Sequence, residues 1–192
     1  SQLNAIKKFI ELNKIKKTIF LTPDLSYKNE VEQAISRSKI KLIKRYTYDT
    51  SPTKLTQQIE KITNYKRRKQ NLEDEIKRLE KSDKDNKEKL IETLKKKDTL
   101  GKVKFDSLII ADFDESLKSV TTSLLYTDIS PKEKYYITLN QWFDESLLKE
   151  KSSQPIYFPS INKKNYENFS SEYFEKFNHY PNQLSFLSFD LV

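Results

Sequence analysis

The stretch FDSLIIAD, Phe105 to Asp112, decides the fold of this 192-residue chain. Four apolar residues follow one another in it, from Leu108 to Ala111, without an intervening polar position. A continuous apolar run of strand length is typical of a strand buried on both faces, as in a parallel sheet covered by helices on each side. The run therefore predicts a parallel strand at the centre of an α/β fold.

Amphipathic helices and short strands alternate on either side of this run. Before it, the sequence predicts a helix over 3–12, a strand TIFLT at 18–22, a helix over 26–38 and a strand IKLIKRYTY at 40–48. After it, the sequence predicts a helix over 115–126, a strand YYITLN at 135–140, an edge strand PIYFP at 155–159, and helices over 163–177 and 182–192. This order predicts a doubly wound, mostly parallel α/β sheet.

The segment 52–98 is predicted to be a charged helical hairpin inserted between the second and third strands. Ser51 and Pro52 have the residue types of a helix N-cap and first turn. Apolar residues then recur at spacings of three and four, which predicts one continuous helix as far as Lys81. The turn SDKDN and a shorter helix follow, and Gly101, the only glycine, is predicted to cap its end.

Much of the positive charge lies in this segment. The formal net charge is +8, and residues 52–98 hold 15 Lys and Arg against 10 Asp and Glu, which leaves +5 there and +3 elsewhere. The run YKRRKQ at 65–70 is the strongest candidate for binding nucleic acid, through clustered phosphate contacts. Consecutive helical residues point in different directions and acids follow the run, so a solvated helix face is favoured over a nucleic-acid partner. A coiled-coil surface also stays open, although polar Gln58 and Lys69 interrupt its apolar seam.

The residue inventory excludes several classes of enzyme. With one glycine, no phosphate-cradling glycine-rich loop can form, and with one histidine, His179, no histidine-pair metal site is available. There is no cysteine, which excludes a disulfide framework and thiolate metal sites. We therefore expect a non-enzymatic protein without a cofactor or a metal. The sequence also contains no apolar run long enough to span a membrane.

Polar and aromatic residues follow several predicted strands at the edge where open α/β sheets bind ligands. The candidate binding residues at this rim are Asp24, Ser26, Tyr27, Asp112, Trp142 and Asp144. A competing interpretation is that Asp24, Ser26 and Asp114 only cap the helices that they precede. Trp142 has a competing interpretation as a core residue.

The segment Asp98 to Leu148 resembles the family of penicillin-binding protein activators. The resemblance rests on Phe105-Asp106-Ser107, on Leu125-Tyr126-Thr127-Asp128, and on Ile137-Thr138-Leu139-Asn140 followed by Trp142 and Asp144. TIFLTPDLSY is similar to the first strand and turn of the same lobe in that family, and YFEKFNHYPNQLSFLSFDLV is similar to a stretch of periplasmic-binding receptors. Glycines that the family carries at the rim are replaced here by Tyr27-Lys28 and Asn140-Gln141.

The resemblance implies one lobe of a type 1 periplasmic-binding fold, spanning residues 1–192 as a fragment of a two-lobed protein. It implies an envelope lipoprotein of the periplasm, anchored in the outer membrane by a lipid outside this chain. That protein would regulate peptidoglycan synthesis by binding a penicillin-binding protein. The hairpin 52–98 is a candidate docking arm.

Two other functions remain open from the sequence. A solute-binding receptor of an amino-acid ABC transporter would hold a small amino-acid ligand between its lobes, against Ser26, Tyr27 or Trp142. A basic coiled-coil or nucleic-acid-binding module would use Lys66 to Lys69 and show a steep dependence on salt.

Overall fold

The computed structural model describes residues 2–139, 145–160 and 163–181. The chain forms two compact units, one of residues 1–158 and one of residues 159–192. The first unit contains a five-stranded sheet, and each strand pairs with its neighbours in parallel. The predicted α/β fold with a parallel sheet is therefore confirmed.

The strands have the order β2-β1-β3-β4-β5 in the sheet. Their bounds are β1 Thr18–Pro23, β2 Lys44–Tyr48, β3 Ser107–Ile110, β4 Tyr135–Thr138 and β5 Ile156–Tyr157. The central apolar run forms β3 between β1 and β4, and the proline-bounded segment forms β5 at an edge of the sheet, both as predicted. Because β1 leads to β2 on one side and β3 continues on the other, the strand order reverses between β1 and β3.

Helices connect the strands in the alternation that the sequence predicts. In the first unit they are α1 Gln2–Leu12, α2 Lys28–Arg37, α3 Pro52–Ile62, α4 Tyr65–Glu80, α5 Lys87–Lys95, α6 Asp114–Tyr126 and α7 Glu145–Lys149, with a 3-10 turn at Lys151–Ser153. The helices α3, α4 and α5 lie between β2 and β3, which is the predicted position of the helical insertion.

Alternate residues of the strands build two cores, one on each face of the sheet. Leu21, Leu108 and Ile110 belong to the first core, together with Leu117 and Val120 of α6. The second core lies on the opposite face of the same strands, where Ile6 of α1 and Ile35 of α2 cover the sheet. The other buried residues of this core are Phe20, Ile40, Ile109, Ala111 and Ile137. The sheet is thus buried on both faces, which explains why β3 is apolar without alternation.

The prediction of one continuous helix from Pro52 to Lys81 is wrong. Helix α3 ends at Ile62, and Asn64 has φ 51° in the left-handed region before α4 begins. The Thr63 hydroxyl donates a hydrogen bond to the Ile59 carbonyl at 2.8 Å. A residue in the left-handed conformation cannot continue a right-handed helix, so the chain changes direction at Asn64.

The break at Asn64 gives the three helices different roles. Leu55 and Ile59 of α3 are fully buried in the first core, so α3 is the crossover helix that covers the sheet. Helix α4 packs against α5, and Leu72 and Leu79 are buried on it. The hairpin in the strict sense is therefore formed by α4 and α5.

One buried arginine fastens α4 to the rest of the unit. Arg68 is 7% exposed. Its guanidinium donates to the carbonyls of Gly101 at 3.2 Å and Thr127 at 3.0 Å, and to the Thr99 hydroxyl at 2.6 Å. It also donates to the Asp128 carbonyl at 3.2 Å and to its carboxylate at 3.3 Å. The Thr99 hydroxyl donates to the same carboxylate, which completes a closed network.

Several predicted boundaries and caps differ from the structure. Strand β2 begins at Lys44, four residues later than predicted, because Ile40 packs in the second core before the strand starts. Ser51 is the N-cap residue of α3, but its hydroxyl donates to Asp49 at 2.6 Å and caps nothing. Gly101 is not the cap of α5, which ends at Lys95 with Lys96 as its C-cap residue. With φ 112°, Gly101 instead shapes the loop that meets Arg68.

The second unit contains α8 Lys163–Phe177, which confirms the helix predicted over 163–177. Tyr173 lies four residues from both Phe169 and Phe177, and its ring contacts theirs at centroid distances of 5.6 Å and 4.5 Å. These contacts form an aromatic row along one side of the helix. The helix predicted over 182–192 lies outside the described residues.

Candidate functional site

The strand order reverses between β1 and β3, and the carboxyl ends of these two strands define the candidate site. In open α/β sheets, ligands bind in the crevice beyond this point. Strand β1 ends at Pro23, and Ala111 and Asp112 follow directly after β3. The Thr22 hydroxyl is buried there without a hydrogen-bond partner among the described residues.

The Asp112 carboxylate is the centre of the site. It is 1% exposed. One oxygen accepts hydrogen bonds from the Tyr27 hydroxyl at 3.2 Å and from the Phe113 backbone N–H at 2.8 Å. The other oxygen accepts from the Tyr48 hydroxyl at 2.5 Å and from the Ser116 hydroxyl at 2.6 Å. Each carboxylate oxygen has two lone-pair sites, so these four donors satisfy the buried charge.

Four elements supply this cluster, which we call the Asp112 clamp: Tyr27, Tyr48, Asp112 and Ser116. Tyr27 precedes α2, Tyr48 ends β2, Asp112 follows β3 and Ser116 lies in the first turn of α6. Tyr48 crosses above the end of β1 to reach Asp112, because β1 lies between β2 and β3 in the sheet. The clamp therefore ties together both sides of the point where the strand order reverses.

The surface that faces outward at this point is aromatic. The Tyr27 ring is half-buried and meets the Phe113 ring edge-on, with centroids 6.1 Å apart. The hydrogen bond to Asp112 fixes the position of the Tyr27 ring. Phe113 is likewise half-buried. A pair of rings at this position offers apolar aromatic surface for contact, while the Tyr27 hydroxyl is bonded to Asp112.

The structure brings together only some of the predicted binding residues. Asp112 and Tyr27 are in direct contact, and Asp24 and Ser26 lie exposed in the same loop. Asp24 forms an ion pair with Lys28 at 2.9 Å. Trp142 and Asp144 lie outside the described residues.

The interpretation of three polar residues as helix caps is wrong. The N-cap residues of α2 and α6 are Tyr27 and Phe113, and neither helix has a side-chain capping bond. Asp24 and Ser26 lie before the N-cap of α2, and Asp114 lies inside α6 with φ 51°. The segments that lead into α2 and α6 are instead held by the Asp112 clamp.

Two members of the clamp were not predicted from the sequence. Tyr48 is the last residue of β2, so its position at the carboxyl edge of a parallel sheet was an available signal. Ser116 is four residues after Asp112, a spacing that brings two side chains together at the start of a helix. Neither residue type is distinctive enough to identify the contact without the fold.

Burial and the neighbouring carboxylate raise the pKa of both clamp tyrosines. For Tyr48 and for Tyr27, desolvation is the largest cause of the raised pKa, and the negative charge of Asp112 and the hydrogen bond to it act in the same direction. Burial alone raises the pKa of Tyr136, whose hydroxyl donates to the Ile129 carbonyl at 2.7 Å. These tyrosines therefore stay neutral in the folded protein at a pH where they ionise in the unfolded chain.

Stability is expected to fall as the pH rises above about 10, where tyrosines of the unfolded chain lose their protons. Below that pH the contribution of these tyrosines is fully present, because both states are neutral. For Tyr48, the free energy of unfolding should fall by about 1.4 kcal/mol per pH unit once the unfolded state is ionised. Urea unfolding at a series of alkaline pH values measures this slope.

The variant Tyr48→Phe serves as the test of that assignment. Above pH 10, its free energy of unfolding should fall less steeply with pH than that of the unsubstituted chain, by up to about 1.4 kcal/mol per pH unit, since it lacks one titrating group. Leu12→Ala, which changes an exposed side chain that does not titrate, should keep the slope of the unsubstituted chain. Equal slopes for Tyr48→Phe and the unsubstituted chain would contradict the raised pKa of Tyr48.

The described residues include neither a candidate metal site nor a membrane-spanning helix. Across residues 2–139, 145–160 and 163–181, no group of three His, Asp or Glu side chains is placed to hold a metal ion. Within the same ranges, every helix is too short or too polar to cross a bilayer.

Comparison with solved structures identifies the fold. The chain is similar to an extracellular ligand-binding receptor from Verminephrobacter eiseniae, with 11% identity and a TM-score of 0.52 over 94% of this chain and 44% of the other. It is also similar to a solute-binding protein of an ABC transporter from Rhodopseudomonas palustris, solved in complex with 3,4-dihydroxybenzoic acid. That match has 10% identity and a TM-score of 0.51, over 94% of this chain and 42% of the other.

These likenesses show the fold. No protein-family model matches the sequence. No curated protein matches it either. The chain has an α/β fold that resembles one lobe of a periplasmic-binding protein, and it spans less than half the length of each of the two receptors.

Proposed function

We propose that this chain is a non-enzymatic binding lobe of the periplasmic-binding type, with its binding surface at Tyr27 and Phe113. The observation that carries the proposal is the Asp112 clamp. It fixes one ring of an aromatic pair at the point where the strand order reverses, which is where folds of this type bind ligands. Asp24 and Ser26, exposed in the same loop, and Trp142 and Asp144 complete the proposed set of binding residues.

The hydrogen bonds of Asp112 support binding over catalysis. A general base needs a lone pair that can reach a substrate proton. Both oxygens of Asp112 are occupied by donors from the protein, and the carboxylate is buried. Asp112 is therefore a positioning residue, which orients the Tyr27 ring that a ligand or a partner would touch.

The proposed partner is a penicillin-binding protein. The support is the resemblance of residues 98–148 to penicillin-binding protein activators, together with a fold that suits that family. The full protein would then be a two-lobed periplasmic lipoprotein that regulates peptidoglycan synthesis, held at the outer membrane by a lipid outside this chain. The hairpin of α4 and α5 would provide a second contact surface.

A solute-binding receptor is the second candidate, and two observations favour it. One similar structure is an extracellular ligand-binding receptor, and another is a solute-binding protein solved with an aromatic acid. The pair of Tyr27 and Phe113 suits an aromatic or an apolar amino-acid ligand, because ring contacts bind such groups at little conformational cost. The ligand would lie between two lobes, of which this chain supplies one.

The test compares one variant in both kinds of binding assay. We expect a purified penicillin-binding protein to bind the immobilised 192-residue chain and to lose at least about tenfold in affinity against Tyr27→Ala, a typical effect for an aromatic residue at the centre of an interface. Tyr126→Ala is the matched control, since Tyr126 is exposed at the far end of α6 from the clamp. Thermal unfolding of the full two-lobed protein with amino acids, 3,4-dihydroxybenzoic acid and peptidoglycan fragments tests the second candidate.

The outcomes separate the two functions. A small molecule present at about 100 times its Kd stabilises the fold by about 2.7 kcal/mol, which a thermal scan resolves. The second candidate would replace the first if a small molecule gave such a thermal shift, if Tyr27→Ala abolished the shift, and if the penicillin-binding protein did not bind. Protein binding that Tyr27→Ala leaves unchanged would contradict the proposed surface, and no response in either assay would contradict both functions.

A further inference from the structure

Lysine pairs precede four of the five strands. The sequence has Lys14-Ile15-Lys16 before β1, Lys39-Ile40-Lys41 before β2, Lys102-Val103-Lys104 before β3 and Lys132-Glu133-Lys134 before β4. Seven of these eight lysines are exposed, and Lys134 is half-buried. In the first three pairs the middle residue packs into a core, which leaves the lysines on the outside.

The parallel sheet brings these four pairs to one end of the unit. Thr18 lies in register with Ser107, and Ser107 with Tyr135, while Lys44 pairs with Ile19. The four strands therefore begin side by side, over a width of about 15 Å at the usual spacing between strands. We call this end the lysine edge; it lies at the opposite ends of the strands from the Asp112 clamp.

The lysines of this edge surround a groove with an apolar floor. The groove has a volume of about 700 Å³, and five lysines line it: Lys7, Lys14, Lys16, Lys39 and Lys41. Its floor consists of Ile10, Ile15 and Ile40, and Glu11 is its acidic residue. None of these five lysines forms an ion pair with a described residue. Their charge is thus available to an external anion.

Two exposed aliphatic residues lie close in the sequence to lysines of this edge. Leu12 is 72% exposed at the end of α1, and Ile43 is 51% exposed just before β2. Lys14 lies two residues after Leu12 in the sequence, and Lys41 lies two residues before Ile43. A surface that combines clustered lysines with exposed aliphatic residues is typical of proteins that lie on anionic membranes.

The position of the lysines at helix ends explains part of this pattern. Lys14 and Lys39 follow the C-termini of α1 and α2, where a cation is favoured by the helix dipole. The pairs Lys102-Lys104 and Lys132-Lys134 lie at least six residues beyond the nearest helix end, so the dipole does not account for them. The common property of all four pairs is their position at the start of a strand.

We propose that the lysine edge docks this chain on an anionic lipid surface. The lysines would meet the lipid head groups, and Leu12 and Ile43 would enter the boundary with the acyl chains. A width of four strands suits an extended charged surface better than a single phosphate group. A nucleic acid would also attract the lysines, but it offers the two exposed aliphatic side chains no apolar environment.

Docking by this edge would leave the Tyr27 and Phe113 rings accessible. The carboxyl ends of the strands would face away from the lipid, because all five strands run in the same direction. This docking does not depend on the function proposed for the clamp.

The test is co-sedimentation of the chain with vesicles of phosphatidylglycerol and phosphatidylcholine, and with phosphatidylcholine alone. We expect binding to the anionic vesicles that falls as salt is added. The variant K14Q/K16Q/K39Q/K41Q should lose at least about tenfold in partition coefficient, since each lysine near an anionic surface contributes substantially. The control K69Q/K77Q/K89Q/K95Q removes four exposed lysines of α4 and α5, leaves the same net charge, and should lose less than about threefold.

A second pair of variants separates lipid from nucleic acid. L12S/I43S should weaken binding to the anionic vesicles and leave binding to a DNA duplex unchanged. All substituted side chains are exposed in the structure, and matching unfolding midpoints would verify that the variants fold. Equal vesicle binding by the two lysine variants would overturn the proposal. It would also be overturned if the chain bound DNA more tightly than vesicles and L12S/I43S left vesicle binding unchanged.

Discussion

Arg68→Ala is expected to lower the free energy of unfolding by about 3 kcal/mol or more. The arginine is buried and donates to three backbone carbonyls, those of Gly101, Thr127 and Asp128. Without it, the buried Thr127 carbonyl and the part-buried contacts to Gly101 and Asp128 lose their donor, and the Asp128 carboxylate loses its cation. The contacts also hold α4 against the loops that lead into β3 and β4, so their loss should loosen the hairpin. Urea unfolding measures the change.

The neighbouring residue is a matched control for this prediction. Arg67 belongs to the same YKRRKQ run but is exposed, and Arg67→Ala should cost less than about 0.5 kcal/mol. Arg68→Lys should recover only part of the loss, since an ammonium cannot reproduce the planar fork that reaches several acceptors at once. If Arg67→Ala and Arg68→Ala had equal effects, the structural role of Arg68 would be wrong.

Asp112→Ala is expected to destabilise the protein by about 3 kcal/mol. The substitution leaves the hydroxyls of Tyr48 and Ser116 and the Phe113 N–H without their acceptor. It also creates a cavity beside Tyr48, which is 1% exposed. Asp24→Ala is the control: Asp24 is mostly exposed and forms a surface ion pair with Lys28, so its loss should cost less than about 0.5 kcal/mol.

A double-mutant cycle shows whether the clamp acts as a unit. Tyr48→Phe removes one hydroxyl, and in the Asp112→Ala background its cost should shrink, because the acceptor is already absent. A coupling of about 1 kcal/mol or more between the two sites is the expected result. Additive effects would contradict the hydrogen bond between Tyr48 and Asp112 as a contributor to stability.

The sequence was sufficient to predict the sheet, because parallel strands have a strong local signal. Leu108 to Ala111 are all buried, and no exposed strand would carry such a run. The proline-bounded segment was recognised as an edge for a similarly local reason, since proline cannot donate to a neighbouring strand. Both predictions rest on residues that are adjacent in the sequence.

The break in the helical insertion could not be predicted in the same way. The apolar spacing from Leu55 to Leu79 continues across Asn64, so periodicity alone gave one helix where there are two. Asparagine is tolerated in the left-handed conformation, but so are other residues here, including Lys14 and Lys39. Residue type therefore indicates where a turn is permitted, and packing decides where it occurs.

The candidate site was predicted in position but not in its contacts. Asp112 and Tyr27 follow strands and were placed at the correct edge. The hydrogen bond between Tyr48 and Asp112 joins residues that are 64 positions apart, and it follows from the strand order rather than from any local pattern. The capping interpretation failed for the same reason, since the loop after β1 is held by contacts from other strands.

The insertion between β2 and β3 also determines how the chain must fold. Strand β1 pairs with β3, and the paired residues Thr18 and Ser107 are 89 positions apart. The pairing at the centre of the sheet therefore closes a loop that contains the whole insertion. The entropy of closing such a loop grows only with the logarithm of its length, by about 0.6 kcal/mol for each doubling. Once α3 covers the sheet and Arg68 fixes the base of α4, the outer turns of the hairpin can lengthen or shorten at small cost. Evolution can therefore vary the reach of this arm while the sheet and the Asp112 clamp stay unchanged.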